Sequence, residues 1–183
     1  MDFPPVDVRE LVAEIAEILI KRNQSVAVSE GACGGLLSAY LISLPGASNF
    51  FDGGRLIYSL KSRLRLSGWN NQQINSYTGP SEQVALKMAR NLRVEFGSTY
   101  VLSETGYAGP STNVGIGDNS SINEADAKVG TVYLGISGPY GNKSCEMCTD
   151  LNDRSLNMQL FAKYSLQFFL ETLKAEEQTT GVV

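Results

Sequence analysis

The stretch Ser25-Val-Ala-Val-Ser-Glu30-Gly31-Ala32-Cys33-Gly34-Gly35-Leu36-Leu37 decides the fold. Its first five residues alternate like a short β strand, and the next six form a glycine-rich turn. Leu36, Leu37, Tyr40 and Leu41 then recur at helical spacing until Pro45-Gly46 stops the pattern. A strand that passes through glycines into a helix is the arrangement in which helix N-terminal amides face a ligand.

Working outward, the same alternation of elements continues. Val8, Leu11, Val12, Ile15, Ile18 and Leu19 predict an opening helix, with Asp7 and Glu10 as a capping box. After Gly53-Gly54, residues 55–58 read as a second strand, followed by a short basic helix from Ser59 to about Leu66. Ser81 reads as the cap of a helix that buries Val84, Ala85, Met88, Ala89 and Leu92. Residues 99–105 form another strand, and residues 106–128, rich in Gly, Asn, Ser and Asp, a long loop. Residues 129–137 and 143–149 predict a hairpin turning through 138–142. A helix from Asp153 to about Glu176 buries Leu156, Leu160, Phe161, Tyr164, Phe168 and Leu173 and ends in a frayed tail. The expected architecture is α/β: a single three-layer α/β/α sandwich with a mixed sheet, one domain over residues 1–183 with its core at about 7–175.

Composition narrows the function. The 183 residues carry 15 Lys+Arg against 19 Asp+Glu, a net charge of -4, which argues against a nucleic-acid binder. No apolar run has the length of a membrane span, and the acidic N-terminus lacks the basic and apolar regions of a secretory signal; the expectation is a soluble cytoplasmic protein with no membrane contact. There is no histidine, which excludes Ser-His-Asp and Cys-His catalysis and every His-containing metal site. Three cysteines, Cys33, Cys145 and Cys148, read as free thiols. The Cys145–Cys148 pair has redox-motif spacing, yet residues three apart in a strand point to opposite faces, so two ordinary thiols are expected and no metal.

The chemistry concentrates in three places. In Glu30–Gly35 the glycines permit close approach of a ligand, and Cys33 near a helix start is a candidate for a lowered thiol pKa. Neither the Gly-x-Gly-x-x-Gly fingerprint nor a P-loop is present there. A second turn, Thr105-Gly106-Tyr107-Ala108-Gly109-Pro110, also follows a strand, and two such turns can wall one crevice of an open α/β sheet. Tyr58 precedes Lys61, Arg63 and Arg65, which are either a solvated basic face or a cationic wall for an anionic ligand.

The joint order of these landmarks resembles the CinA C-terminal domain family, the nicotinamide-nucleotide amidases. The landmarks are Glu30 with Gly34-Gly35, Pro45-Gly46-Ala47-Ser48, Phe51 with Gly53-Gly54, Tyr58-Ser59, and Ser81-Glu82 with Val84-Ala85. Further on come Thr105-Gly106 with Ala108-Gly109-Pro110, Val129-Gly130-Thr131-Val132, and Asp153-Arg154. The resemblance implies the same fold, a homo-oligomer, and hydrolysis of the carboxamide of nicotinamide mononucleotide without cofactor or metal. In that family a serine in Glu-Ser-Cys-Thr-Gly-Gly is the nucleophile, and a lysine five residues after the tyrosine is its base.

Both positions differ here. Gly31 stands at the nucleophile position and Arg63 at the base position, while Tyr58 is kept. Glycine carries no nucleophile, and a guanidinium does not act as a base at ordinary pH. The resulting expectation is a catalytically degenerate member that binds a small ligand, a nucleotide or another phosphorylated metabolite, through Glu30, Gly34, Gly35, Thr105, Gly106, Ala108 and Gly109. Two other readings stand beside it: an amidohydrolase with Cys33 as a relocated nucleophile, and a structural or interaction homo-oligomer with a vestigial pocket.

Overall fold

A computed structural model describes residues 3–66, 68–75, 77–112 and 127–180. In chain order it contains α1 (Val6–Lys21), β1 (Val26–Glu30), α2 (Leu36–Ile42), β2 (Phe51–Leu56), α3 (Leu60–Leu66), α4 (Asn71–Asn75) and α5 (Glu82–Phe96). These are followed by β3 (Tyr100–Gly106), β4 (Thr131–Gly138), β5 (Gly141–Cys148) and α6 (Arg154–Thr180). The five strands form one mixed sheet in the order β2-β1-β3-β4-β5. β1 runs parallel to β2 and β3, whereas β3-β4 and β4-β5 are antiparallel. The expected α/β class with a mixed sheet is what the chain adopts.

The layers follow from strand alternation. Tyr100 and Leu102 on β3 face the core shared with α1, α2 and α6, together with Val26 and Val28 of β1. Val101 and Ala27 point the other way and pack on Ala89 and Leu92 of α5. The α5 stripe of Val84, Ala85, Met88, Ala89 and Leu92 is buried as expected. The Ser81 hydroxyl caps that helix by accepting from Val84 N at 3.2 Å.

Several boundaries differ from the sequence reading, each for a physical reason. Gly53 and Gly54 lie inside β2 rather than before it, pairing with Ala27 and Val28. Gly54 is required by packing: a Cβ there would press on the Ser38 hydroxyl and sit 2.9 Å from Val28 Cγ2. Tyr58 therefore lies beyond the strand, in the turn leading into α3. No side chain caps α1, whose N-cap is Pro5, so the Asp7–Glu10 capping box does not form. The β4-β5 hairpin is tighter than expected, with Gly138 paired to Gly141. On α6, Asp153 Oδ1 accepts from Leu156 N at 2.9 Å, but the Leu156 side chain is exposed. The helix runs on to Thr180, past the expected end near Glu176. Most of the 106–128 loop, residues 113–126, lies outside the described residues.

Candidate functional site

Both glycine turns sit at the carboxyl ends of neighbouring strands β1 and β3, where open α/β sheets hold ligands. The first is shaped by two carboxylates. Glu30 ends β1 and turns into the start of α2: its oxygens accept from the N–H groups of Gly35 (2.9 Å), Leu37 (3.0 Å) and Ser38 (2.9 Å), and from the Ser38 hydroxyl (2.6 Å). Glu104, on the core face of β3, accepts from Gly31 N (2.7 Å), Ala32 N (3.1 Å) and Cys33 N (2.8 Å). Burial raises the Glu104 carboxyl above its usual 4.5, against the lowering effect of the Cys33 and Gly31 amides. The amides expected to face a ligand are thus consumed by the protein's own acids. Glu30 is a capping residue and does not line the pocket, and neither do Gly34 or Gly35.

Cys33 is corrected in the same way. Its thiol is buried, and burial, followed by the negative charges of Glu104 and Glu30, pushes its pKa well up rather than down. That is the reverse of an activated nucleophile.

The pocket itself has a volume of about 320 Å³ and lies beside this turn. Its lining includes Gly106, Tyr107, Ala108 and Gly109 of the second glycine turn, Tyr58, Ser59 and Arg63 from the start of α3, and Tyr77 and Arg154. Among the described residues no Asp or Glu lines it. Thr105 does not line it either. Its hydroxyl, buried without a partner among the described residues, shares the face of Ser103, which donates to Ala85 O of α5.

Of the basic residues on α3, Arg63 alone enters the pocket, while Lys61 and Arg65 are exposed. Arg63 is 6% exposed, and it donates through Nε to Ile57 O at 3.1 Å and through Nη1 to Tyr77 Oη at 3.0 Å. Burial raises the Tyr77 pKa despite the nearby guanidinium, so the ring keeps its proton and remains a donor. A Cβ built on Gly31 would lie 2.6 Å from Arg63 Nη2 and 3.2 Å from Glu104 O. Gly31 has no left-handed φ; it is glycine for space, and the arginine fills that space. The fold therefore brings together Gly31 and Arg63, 32 residues apart in sequence.

At the mouth stands Arg154, the first residue of α6. It donates through Nη1 to Gly109 O at 2.5 Å and through Nη2 to Tyr58 Oη at 3.0 Å, and its guanidinium lies 5.9 Å from the Tyr58 ring centroid. The sequence reading assigned no site role to Glu104 or Arg154. The signals were a single acid in a strand with no other charge and an arginine directly after a helix-capping Asp153.

The model of the CinA C-terminal domain matches residues 8–173. The chain belongs to the CinA C-terminal domain family. A CinA-like protein of Desulfosudis oleivorans is 31% identical over 157 residues, covering 86% of this chain and 36% of that protein. Another, from Myxococcus xanthus, is 32% identical over 174 residues, covering 95% and 39%. The chain thus spans well under half the length of these relatives. Crystal structures of a competence/damage inducible protein from Agrobacterium tumefaciens and of a competence damage-inducible protein A from Klebsiella pneumoniae share the fold. The first superposes with a TM-score of 0.82 at 23% identity, covering 95% of this chain and 99% of that one. The second gives 0.80 at 23%, covering 91% and 97%. Among the described residues no helix is long and apolar enough to cross a membrane, and no group of three His, Cys, Asp or Glu could hold a metal.

Proposed function

We propose that this CinA C-terminal domain binds a phosphorylated small ligand, a nucleotide in the simplest case, and does not hydrolyse it. One observation carries the reading: the Arg63 guanidinium occupies the volume into which a nucleophilic side chain at position 31 would project. The wall chemistry supports it, with two arginines, Arg63 and Arg154, three tyrosines and no carboxylate lining the pocket among the described residues. Guanidinium groups recognise phosphate through paired N–H donors, and aromatic faces accept a planar base.

A thermal-shift series with nucleoside monophosphates and the matching nucleosides tests the binding half. The proposal expects a rise in Tm with the phosphorylated members that Arg154→Met removes. No shift with any member would favour the interaction-protein reading, in which self-association carries the function. Light scattering on the purified chain reads that self-association directly; the edges of β2 and β5, unpaired among the described residues, are the kind of surface through which sheets can join.

A further inference from the structure

One side of the pocket is built apart from the rest of the molecule. Tyr58, Ser59, Leu60, Arg63, Tyr77 and Pro80 all line it, and all lie between two anchors in sequence. The first anchor is Ile57, whose N–H donates at 2.8 Å to the carbonyl of Glu30, the last residue of β1. The second is Ser81, the cap of α5. Between these anchors the described backbone–backbone bonds stay local, as in Arg63 N donating to Ser59 O at 3.0 Å. The apolar side chains there do not join the main core. Leu60, Trp69 and Tyr77 form a small cluster with Ile57 and with Val84 and Met88 of α5. Ala89 and Leu92, further along α5, pack instead on the sheet.

Side-chain contacts at the rim close this unit onto the body. Arg55 of β2 donates to Leu66 O at 2.5 Å and pairs with Glu95 of α5. Lys87 of α5 donates to Gln73 and lies 4.8 Å from the Trp69 ring centroid. Across the pocket, Arg154 donates to both Tyr58 Oη and Gly109 O. Within the unit, Arg63 of α3 donates to Tyr77 Oη at 3.0 Å, which joins its two ends. The closed packing also buries the Trp69 indole N–H with no partner among the described residues, a cost that access to water removes. Gly79, at φ +124 just before Pro80, has the backbone freedom of a hinge.

We propose that α3 and α4, with Tyr58, Trp69 and Tyr77, form a lid that opens over the pocket as one unit while the sheet and α5 stay folded. Arg154 is its latch on the far rim. A small separate cluster held at its edges by surface side chains is the make-up of a unit that opens well below the free energy of global unfolding. Whatever the pocket holds, contact with Tyr58, Arg63 or Tyr77 favours the closed lid, so the proposal does not depend on the identity of the ligand.

Trp69 is the only tryptophan of the chain, so its emission reads the lid alone. In a urea titration of the unaltered chain, that emission is expected to move to the red before the far-ultraviolet circular dichroism of the body is lost. Hydrogen exchange read by mass spectrometry is expected to show the amides of α3 and α4 exchanging at least about tenfold faster than those of β1 and β3. Arg55→Met is expected to speed exchange in α3 and α4 by about threefold more and to leave β1 and β3 unchanged. Coincident emission and dichroism transitions, with equal protection of α3 and β3, overturn the proposal, because the lid then opens only with the whole molecule. A native emission already at the maximum of solvated indole, with no protection in α3, overturns it too, because the lid is then never closed. The comparisons on the unaltered chain decide the matter even where Arg55→Met fails to fold.

Discussion

Gly31→Ala tests whether Arg63 truly fills the space a side chain would need. The new Cβ would lie 2.6 Å from Nη2 and 3.2 Å from Glu104 O, and the backbone at Glu104 is fixed in the centre of the sheet. Relief has to come from the guanidinium, which is held by Ile57 O and Tyr77 Oη. Surrendering one bond from a charged donor costs about 1.5–3 kcal/mol. Because Gly31 has no left-handed φ, stiffening of the unfolded chain returns about 0.4–1 kcal/mol. The net expectation is a loss of about 1–2 kcal/mol. Arg63→Lys alone also destabilises, since one ammonium cannot reproduce the fork, but it removes Nη2. Gly31→Ala made in the Arg63→Lys background is therefore expected to be neutral or slightly stabilising, a coupling of about 1.5–3 kcal/mol of the kind found between groups in contact. Urea unfolding of the four chains, with m-values compared, measures this cycle. If Gly31→Ala costs the same in both backgrounds, Arg63 does not occupy the space and the argument for a lost nucleophile weakens.

Further expectations concern the same turn and its surroundings. Glu104 has a raised folded-state pKa, so its proton-linked contribution is full below the ordinary carboxylate range and is lost as pH rises through the raised value. Glu104→Gln, neutral at every pH, is then expected to cost most at acid pH and less at pH 7.5; urea unfolding at both pH values checks this, and a cost that grows with pH contradicts it. Thiol labelling of the native chain is expected to reach exposed Cys148 first. Cys145, its pKa pushed to about 11 chiefly by burial, follows more slowly, and buried Cys33 reacts only on unfolding; rapid labelling of Cys33 would restore it as a nucleophile candidate. Ser81→Ala removes the acceptor for Val84 N and is expected to lower stability by about 1 kcal/mol in thermal or urea unfolding.

The elements that were legible in the sequence are those whose signals are local. The Ser81 cap and the apolar stripe of α5 were readable because capping and helical burial need only neighbours within four residues. The glycine pair at 53–54 misled because glycine marks both turns and close packing, and only the fold shows Ser38 and Val28 pressing on Gly54. The site was half legible. Gly31, Tyr58, Arg63 and the Gly106–Gly109 turn could be singled out, and the fold places Arg63 against Gly31 with Tyr58 and that turn on the same pocket. What the sequence could not show is long-range electrostatics. Glu104 reaches amides more than 70 residues away; that reach takes the turn's amides from any ligand and adds to the burial that reverses the expectation for Cys33. Arg154 likewise becomes a pocket residue only because the start of α6 comes beside Tyr58.

The central claim, that this pocket holds its ligand without cleaving it, is tested most directly by incubating the purified chain with nicotinamide mononucleotide. Released ammonia and intact nucleotide are then measured over many hours, without added metal. The account predicts no ammonia above the protein-free control and full recovery of the nucleotide. Sustained release of ammonia beyond one equivalent per chain would contradict it.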